Sequence, residues 1–360
     1  MTMRPLRILH LLNTVRETGN GIINTAMDLA WGQARLGHEV HVASAGGEFE
    51  SRLAAWGVRH HRIDQRRRPL TLWRATYQLK ALLAEHRIDV VHAHVMTGVV
   101  LTRAARAPRA RGGPVLVGHV HNVYQRSARL MGLADLTLCC GTMVREEMRR
   151  VGVPEARLRV VLNGTVGSPR LPDPEAVVPA ALAQPAIVTV AGMNERKGIA
   201  ELIAAFGLLA PSHPNAQLYL VGDGPDRASF EALAVASPGA GRIHFAGFQR
   251  DPSPWLRAAA VFVLASRRES FPIVIGEARA AGCAIVATAV DGVPESLDDG
   301  AAGVLVPARD PARLAAALDT LLRDPAARAR QAVQARTGLE RFHVTRMVEG
   351  TVAMYRSALR

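Results

Sequence analysis

Two glutamates, Glu269 and Glu277, stand eight positions apart in the stretch VFVLASRRESFPIVIGEARAAG, residues 261–282. Residues 261–265 are short, apolar and β-forming, and read as a buried strand. Pro272 suits the first helical position, where a missing N–H costs nothing, and Gly282 suits the stop. Glu269 then sits at the mouth of a strand-to-helix loop. Glu277 lies about a turn inside the helix, with a side chain that tilts back toward the same mouth. A strand end facing a helix N-terminus gathers unpaired amides and the positive end of the helix dipole, so it attracts anions. Carboxylates beside it cannot ligate phosphate. They suit hydroxyl groups, which points to a ligand carrying both phosphate and sugar.

Other residues offer complementary chemistry. Glu195-Arg196-Lys197-Gly198 supplies cations, a flexible backbone and free amides at the start of a helix, suited to phosphate. In Asp291-Gly292-Val293-Pro294-Glu295, the glycine and proline allow a backbone to approach a ligand closely. His92 with His94, and His119 with His121, are spaced to share one side of a strand end. Four imidazoles could hold zinc, but no nearby Cys or carboxylate completes a site. One imidazole is expected to meet substrate while the others hydrogen-bond locally, and no metal is expected. Gly222-Asp223-Gly224-Pro225 begins like a dinucleotide fingerprint but has Arg227 where the third glycine belongs, so it reads as a tight turn rather than an NAD site. The run Arg66, Arg67, Arg68, Trp73, Arg74, Tyr77 and Lys80 fits either a membrane surface or a solvated face with core aromatics.

The elements that would position these residues alternate along the chain. Strands are expected at 7–12, 39–43, 89–93, 115–120, 136–140 and 158–162, with a helix at 22–36 that Gly37 ends. The proline-rich stretch 169–185 reads as a linker. Strands then resume at 186–191, 217–221, 244–246, 261–265, 284–287 and 304–306, followed by an Ala- and Arg-rich helical tail from 310. Alternating strands and helices imply parallel sheets covered on both faces. The fold class is therefore α/β, with two Rossmann-like parallel-sheet domains. The boundaries are residues 1–168, residues 169–345 and a terminal helix, 346–360. Ligands of such sheets sit outside the carboxyl ends of the strands, so facing domains would share a cleft.

The chain has 360 residues, 49% of them apolar, which excludes a disordered chain and allows two substantial cores. No apolar run reaches the length of a membrane span, and the start MTMRPLRILHLLN reads as a first strand rather than a signal peptide. Three cysteines without framework spacing fit the cytoplasm. Residues 1–170 hold 25 Lys and Arg against 12 Asp and Glu, which accounts for the whole net charge of +13. The asymmetry implies an anionic partner for that half. An anionic membrane surface met by Arg66, Arg67 and Arg68 is one such partner, and would make the protein peripheral on the inner membrane face. Nucleic acid is not expected, since no recognised nucleic-acid motif accompanies the charge.

Taken in order, these pieces resemble the retaining family 4 glycosyltransferases of the GT-B fold. The resemblance runs through Gly19 to Gly21, Gly37-His38-Glu39-Val40, Asp89-Val90-Val91-His92-Ala93-His94, Val120-His121-Asn122 and Asn163-Gly164. It continues through Arg196-Lys197-Gly198, Gly222-Asp223-Gly224-Pro225, Phe245-Ala246-Gly247, the Glu269-x7-Glu277 signature, Gly292-x-Pro294-Glu295 and Gly303-Val304-Leu305-Val306-Pro307. The resemblance implies transfer of a sugar from a UDP- or GDP-sugar to an acceptor in surface polysaccharide, lipopolysaccharide or glycolipid synthesis, without a metal or other cofactor. It implies catalytic roles for His121, Lys197 and Glu269. Donor binding would involve Gly21, Arg196, Lys197, Glu269, Phe271, Glu277, Gly292 and Pro294. A nucleotide-sugar epimerase of related fold and a non-catalytic nucleic-acid binder are the alternatives. Two positions depart from the family pattern: Met193 stands where many members have arginine after the glycine matching Gly192, and Asn20 interrupts the glycine pair.

Overall fold

A computed structural model describes residues 4–124 and 126–360. The described chain forms two compact units, residues 4–164 with Phe342–Arg360, and Thr165–Arg341. The first carries seven strands, β1 (Arg7–Leu11), β2 (Glu39–Ser44), β3 (Arg59–Arg62), β4 (Val90–Ala93), β5 (Val115–Val120), β6 (Leu136–Cys139) and β7 (Leu158–Val160). They lie in the order β3-β2-β1-β4-β5-β6-β7. The second carries β8 (Ala186–Val190), β9 (Gln217–Val221), β10 (Ile243–Gly247), β11 (Val261–Leu264), β12 (Ala284–Thr288) and β13 (Val304–Val306), in the order β10-β9-β8-β11-β12-β13. Every pairing is parallel.

Both sheets are buried on two faces, which is why their central strands read as continuous apolar runs. In β11 alternate side chains serve opposite layers. Val261 and Val263 pack with Ile187, Phe206 and Leu318 on one face, and Phe262 and Leu264 pack with Ile275, Ile285 and Leu297 on the other. In each sheet the chain winds outward one way from a central strand, then returns and winds the other way. The reversal falls between β1 and β4 in the first unit and between β8 and β11 in the second. Such a switch point leaves a crevice outside the strand ends, where loops diverge.

The sequence reading missed β3. Its residues, RHHR, lack the apolar signature because it is a short edge strand with exposed outer positions, and charge on an edge discourages further pairing. The expected boundaries at 168/169 and 345/346 each fall four residues too late, at 164/165 and 341/342. The Gly164 amide donates to Met347 Sδ at 3.2 Å, tying Gly164 to the first unit. The Thr165 hydroxyl already bonds within the second, and Arg341 pairs with Asp298 there at 2.7 Å. The proline-rich stretch 169–185 is consequently part of the second unit. The Ala180 amide donates to Pro254 O and the Gln184 amide side chain to Ala258 O. The last helix, Val344–Leu359, belongs to the first unit. There Val344, Met347, Val348 and Tyr355 complete a core with Leu6, Ile8, Leu29 and Val117.

Candidate functional site

The loops after β8, β11 and β12 leave neighbouring strand ends of the second sheet, and hydrogen bonds join all three. Gly198 takes a left-handed conformation, φ 65°, and a Cβ there would lie 1.9 Å from Ala265 O. Only glycine lets the β8 loop close this tightly against the end of β11. The Arg267 amide then donates to Arg196 O at 2.8 Å. The Lys197 ammonium pairs with Glu269 Oε2, and the Arg196 guanidinium stands 3.6 Å from the same oxygen. These side chains are half-sheltered, Lys197 16% and Glu269 12% exposed, so their interaction is less screened than a surface pair.

The Glu269 loop is held by partners that sequence reading did not assign. The Ser266 hydroxyl donates to Glu269 Oε2 at 3.3 Å. Asp291 accepts from the Glu269 amide at 2.9 Å and from Arg268 Nε at 2.8 Å. The Gly292 amide donates to Glu269 O at 3.0 Å, and a Cβ on Gly292 would meet Ser270 O at 1.8 Å. The Asp-Gly pair was legible as a close-approach turn; its role as the clamp on the loop needed the neighbouring strand ends.

Phe271, at the end of the loop, is buried, and Pro294 lies in the first turn of the short helix Val293–Ser296. Pro272 is the N-cap rather than the first residue of the helix Ile273–Ala281, with φ −78° and ψ 112°, and Gly282 closes that helix in the left-handed region. Glu277 accepts a hydrogen bond from the Thr165 hydroxyl at 3.0 Å. Met193, at the position where the family often carries arginine, is core, 1% exposed. That position presents no cation, and Arg196 with Lys197 are the cations brought to Glu269.

The first unit has its own crevice at its switch point, a cavity of about 240 Å³ lined by Asn13, Arg67, His94, Thr97, His119 and His121 among others. Gly21 starts the helix Gly21–Arg35 beside it, and Asn20, the departure from the glycine pair, caps that helix by accepting from the Ile22 amide at 2.9 Å. Behind the cavity runs a hydrogen-bonded chain. His121 Nε2 lies 3.1 Å from His94 Nδ1, His94 Nε2 2.9 Å from His10 Nδ1, and His10 Nε2 2.8 Å from Gln33 Oε1. Gln33 donates to the Tyr355 hydroxyl at 3.2 Å, which also bonds His92 Nδ1. Three imidazoles line the cavity, where one was expected. Burial pushes His10 down to about 4 and holds His92, His94 and His119 well below the usual histidine range. Burial lowers His121 as well, so it faces the cavity as neutral imidazole.

The basic-aromatic run lies on the outside of the same unit. Arg66, Arg67 and Arg68 are exposed. Leu70, Trp73 and Tyr77 on the helix Pro69–Glu85 are 75%, 69% and 70% exposed, so the aromatics are not core residues. No helix among the described residues is long and apolar enough to cross a membrane.

Comparison with known proteins bears on both units. Residues 184–324 match the model for glycosyl transferases group 1, and residues 19–165 match that for glycosyltransferase family 4. The chain is 31% identical over 302 residues to the alpha-maltose-1-phosphate synthase of Mycolicibacterium smegmatis, covering 76% of each protein. It is 35% identical over 148 residues to the lipopolysaccharide core biosynthesis glycosyltransferase LpsE of Rhizobium meliloti, a match that spans 41% of this chain and 42% of that relative. The crystal structure of Anabaena HepE in complex with UDP and glucose superposes with a TM-score of 0.83 at 19% identity, over 98% of this chain and all of the other, which shows a shared GT-B fold. With both units matched in order and one relative matched over three quarters of its length, the chain belongs to the group 1, family 4 glycosyltransferases.

Proposed function

We propose that this protein is a retaining glycosyltransferase that moves a sugar from a UDP- or GDP-sugar to an acceptor in surface polysaccharide, lipopolysaccharide or glycolipid synthesis. The observation that carries the reading is the Lys197–Glu269 pair at the switch point between β8 and β11, with Arg196 beside it. A cation for diphosphate and a carboxylate for sugar hydroxyls stand together where α/β sheets bind ligands. Glu277 takes the ribose hydroxyls, Phe271 shapes the donor pocket, and the backbone at Gly292 and Pro294 lies along the sugar and diphosphate. In the first unit, the cavity that neutral His121 lines, with Gly21 starting a helix beside it, receives the acceptor.

In the reaction the bond from the anomeric carbon to the diphosphate oxygen breaks. The acceptor hydroxyl attacks on the same face, and its proton passes to the departing phosphate oxygen. Lys197 and Arg196 stabilise the charge that grows on the diphosphate, so they act most strongly in the transition state and no metal is needed for that task. Before the donor binds, Glu269 keeps the Lys197 ammonium neutralised and in place.

The excess charge of residues 1–170 and the exposed Leu70, Trp73 and Tyr77 beside Arg66, Arg67 and Arg68 support a second element of the proposal. The first unit docks peripherally on an anionic membrane and receives a lipid-linked acceptor there, on the cytoplasmic side. The test is product analysis by NMR after incubation with UDP- and GDP-sugars and oligosaccharide or glycolipid acceptors. A new glycoside with the donor's anomeric configuration supports the proposal. Inverted product, or epimerised donor without transfer, refutes it.

A further inference from the structure

Three groups of imidazoles in the first unit bring a ring nitrogen from each member within 4.8 Å of the others. Two belong to the chain behind the cavity. His10, His92 and His94 are sealed in the core, where His10 spends both nitrogens on Gln33 and His94. His94, His119 and His121 line the cavity already described. The third group, His41, His61 and His86, lies elsewhere, on the outer edge of the sheet. His41 is in β2, His61 in the edge strand β3, and His86 caps the C-terminus of the helix Pro69–Glu85.

We propose that His41, His61 and His86 form a binding site for one divalent transition-metal ion of the zinc type, with a fourth position open to solvent. The geometry supports it. His41 Nε2 lies 3.2 Å from Glu39 Oε1. An ionised carboxylate only accepts, so Nε2 carries the hydrogen and Nδ1 is left as a lone pair. That Nδ1 lies 2.9 Å from His61 Nε2, close to the roughly 3.3 Å between two ligand atoms each about 2.05 Å from a tetrahedral zinc ion. The three ring centroids are 5.1, 4.5 and 5.1 Å apart, near the roughly 5 Å that imidazoles take around such an ion. Glu39 completes the carboxylate–histidine–metal arrangement that fixes a ligand's tautomer and orientation, and Arg59 pairs with the same carboxylate oxygen.

The histidines also differ in access as a site requires. His41 is buried, while His61 and His86 keep part of their rings exposed. An ion could enter from solvent and retain a water. Imidazole donors select zinc, copper or nickel over magnesium or calcium. Bound there, the ion would fasten the edge strand to the helix that carries Leu70, Trp73 and Tyr77. The site stands apart from the donor residues and does not depend on the proposed activity.

The experiment uses the full chain without a histidine tag, stripped with chelator and titrated with Co²⁺ by absorption and Zn²⁺ by calorimetry. The expected result is one tight equivalent with the d–d bands of low-symmetry cobalt. Binding should be lost in His61→Ala and in His86→Ala, and weakened about 10–100-fold in Glu39→Gln. UDP and GDP binding should be unchanged in all three. Absence of a cobalt band in the wild type, or the same equivalent persisting in both His61→Ala and His86→Ala, overturns the site. Loss of the equivalent in His121→Ala but not in His61→Ala places the ion in the cavity and overturns it equally.

Discussion

Lowering the pH should unfold the first unit well before it disturbs carboxylates, and the magnitude follows from four buried histidines. His10, His92, His94 and His119 are each at most 3% exposed, and burial depresses all four. In the folded chain they stay neutral, while unfolded histidine takes up a proton near pH 6.5. Their contribution to stability is therefore complete above about pH 6.5 and is lost as the pH falls from there toward the folded-state values. At pH 5.5 the unfolded chain gains about 1.25 kcal/mol per histidine relative to pH 7, or about 5 kcal/mol for the four. That rivals the whole stability of an ordinary domain, about 5–15 kcal/mol. The assay is urea denaturation at pH 7.5, 6.5 and 5.5 followed by tryptophan fluorescence in a Trp255→Phe variant, so that Trp31, Trp56 and Trp73 report on the first unit. The midpoint should fall steeply between pH 6.5 and 5.5, with uptake of at least four protons on unfolding, since burial also depresses His41 and His121. His119 has no hydrogen-bond partner on either nitrogen among the described residues. His119→Leu should therefore remove about one proton from that slope without breaking the chain of bonds beside it. A midpoint that is flat from pH 7.5 to 5.5 would refute the reasoning.

Three further outcomes follow from the second unit and the outer helix. Glu277→Ala should weaken nucleotide binding by roughly 1.5–3 kcal/mol, the worth of a charged hydrogen bond; unchanged affinity by calorimetry with failed transfer would show that the ribose is held elsewhere. Lys197→Ala should lower kcat by more than it raises KM, because its charge is needed most as the diphosphate departs; steady-state kinetics with normal kcat and only a raised KM would remove it from the transition state. Arg66/Arg67/Arg68→Ser should release the protein from anionic vesicles, since each basic residue contributes about 1 kcal/mol near such a surface, and salt should do the same to the wild type. Co-sedimentation that is negligible with both anionic and neutral vesicles would end the membrane proposal.

Much of the second unit was legible because its chemistry follows strand ends. The apolar runs at 186–191, 261–265 and 284–287 mark strands buried on both faces, and the residues just after them are Lys197, Glu269 and Gly292. What could not be read was which strand ends are neighbours. Asp291 holds the Glu269 amide only because β12 lies beside β11. Thr165 reaches Glu277 only because the domain boundary falls four residues earlier than the prolines suggest. In the first unit, the i,i+2 spacing gave the shared face of His92 with His94 and of His119 with His121. His10, Gln33 and Tyr355 come from distant parts of the chain, so no local pattern announces their network. The same holds for β3 and its His61, whose polar run is that of an edge strand and carries no apolar period to detect.

The central claim is that the second unit binds a nucleoside diphosphate-sugar through Lys197, Glu269 and Glu277, and calorimetric titration of the full chain with UDP and GDP tests it most directly. The account predicts that one of the two binds at one equivalent per chain and that both Lys197→Ala and Glu277→Ala weaken it by tenfold or more, about 1.4 kcal/mol. Binding of neither nucleotide, or an affinity that both substitutions leave untouched, would contradict it.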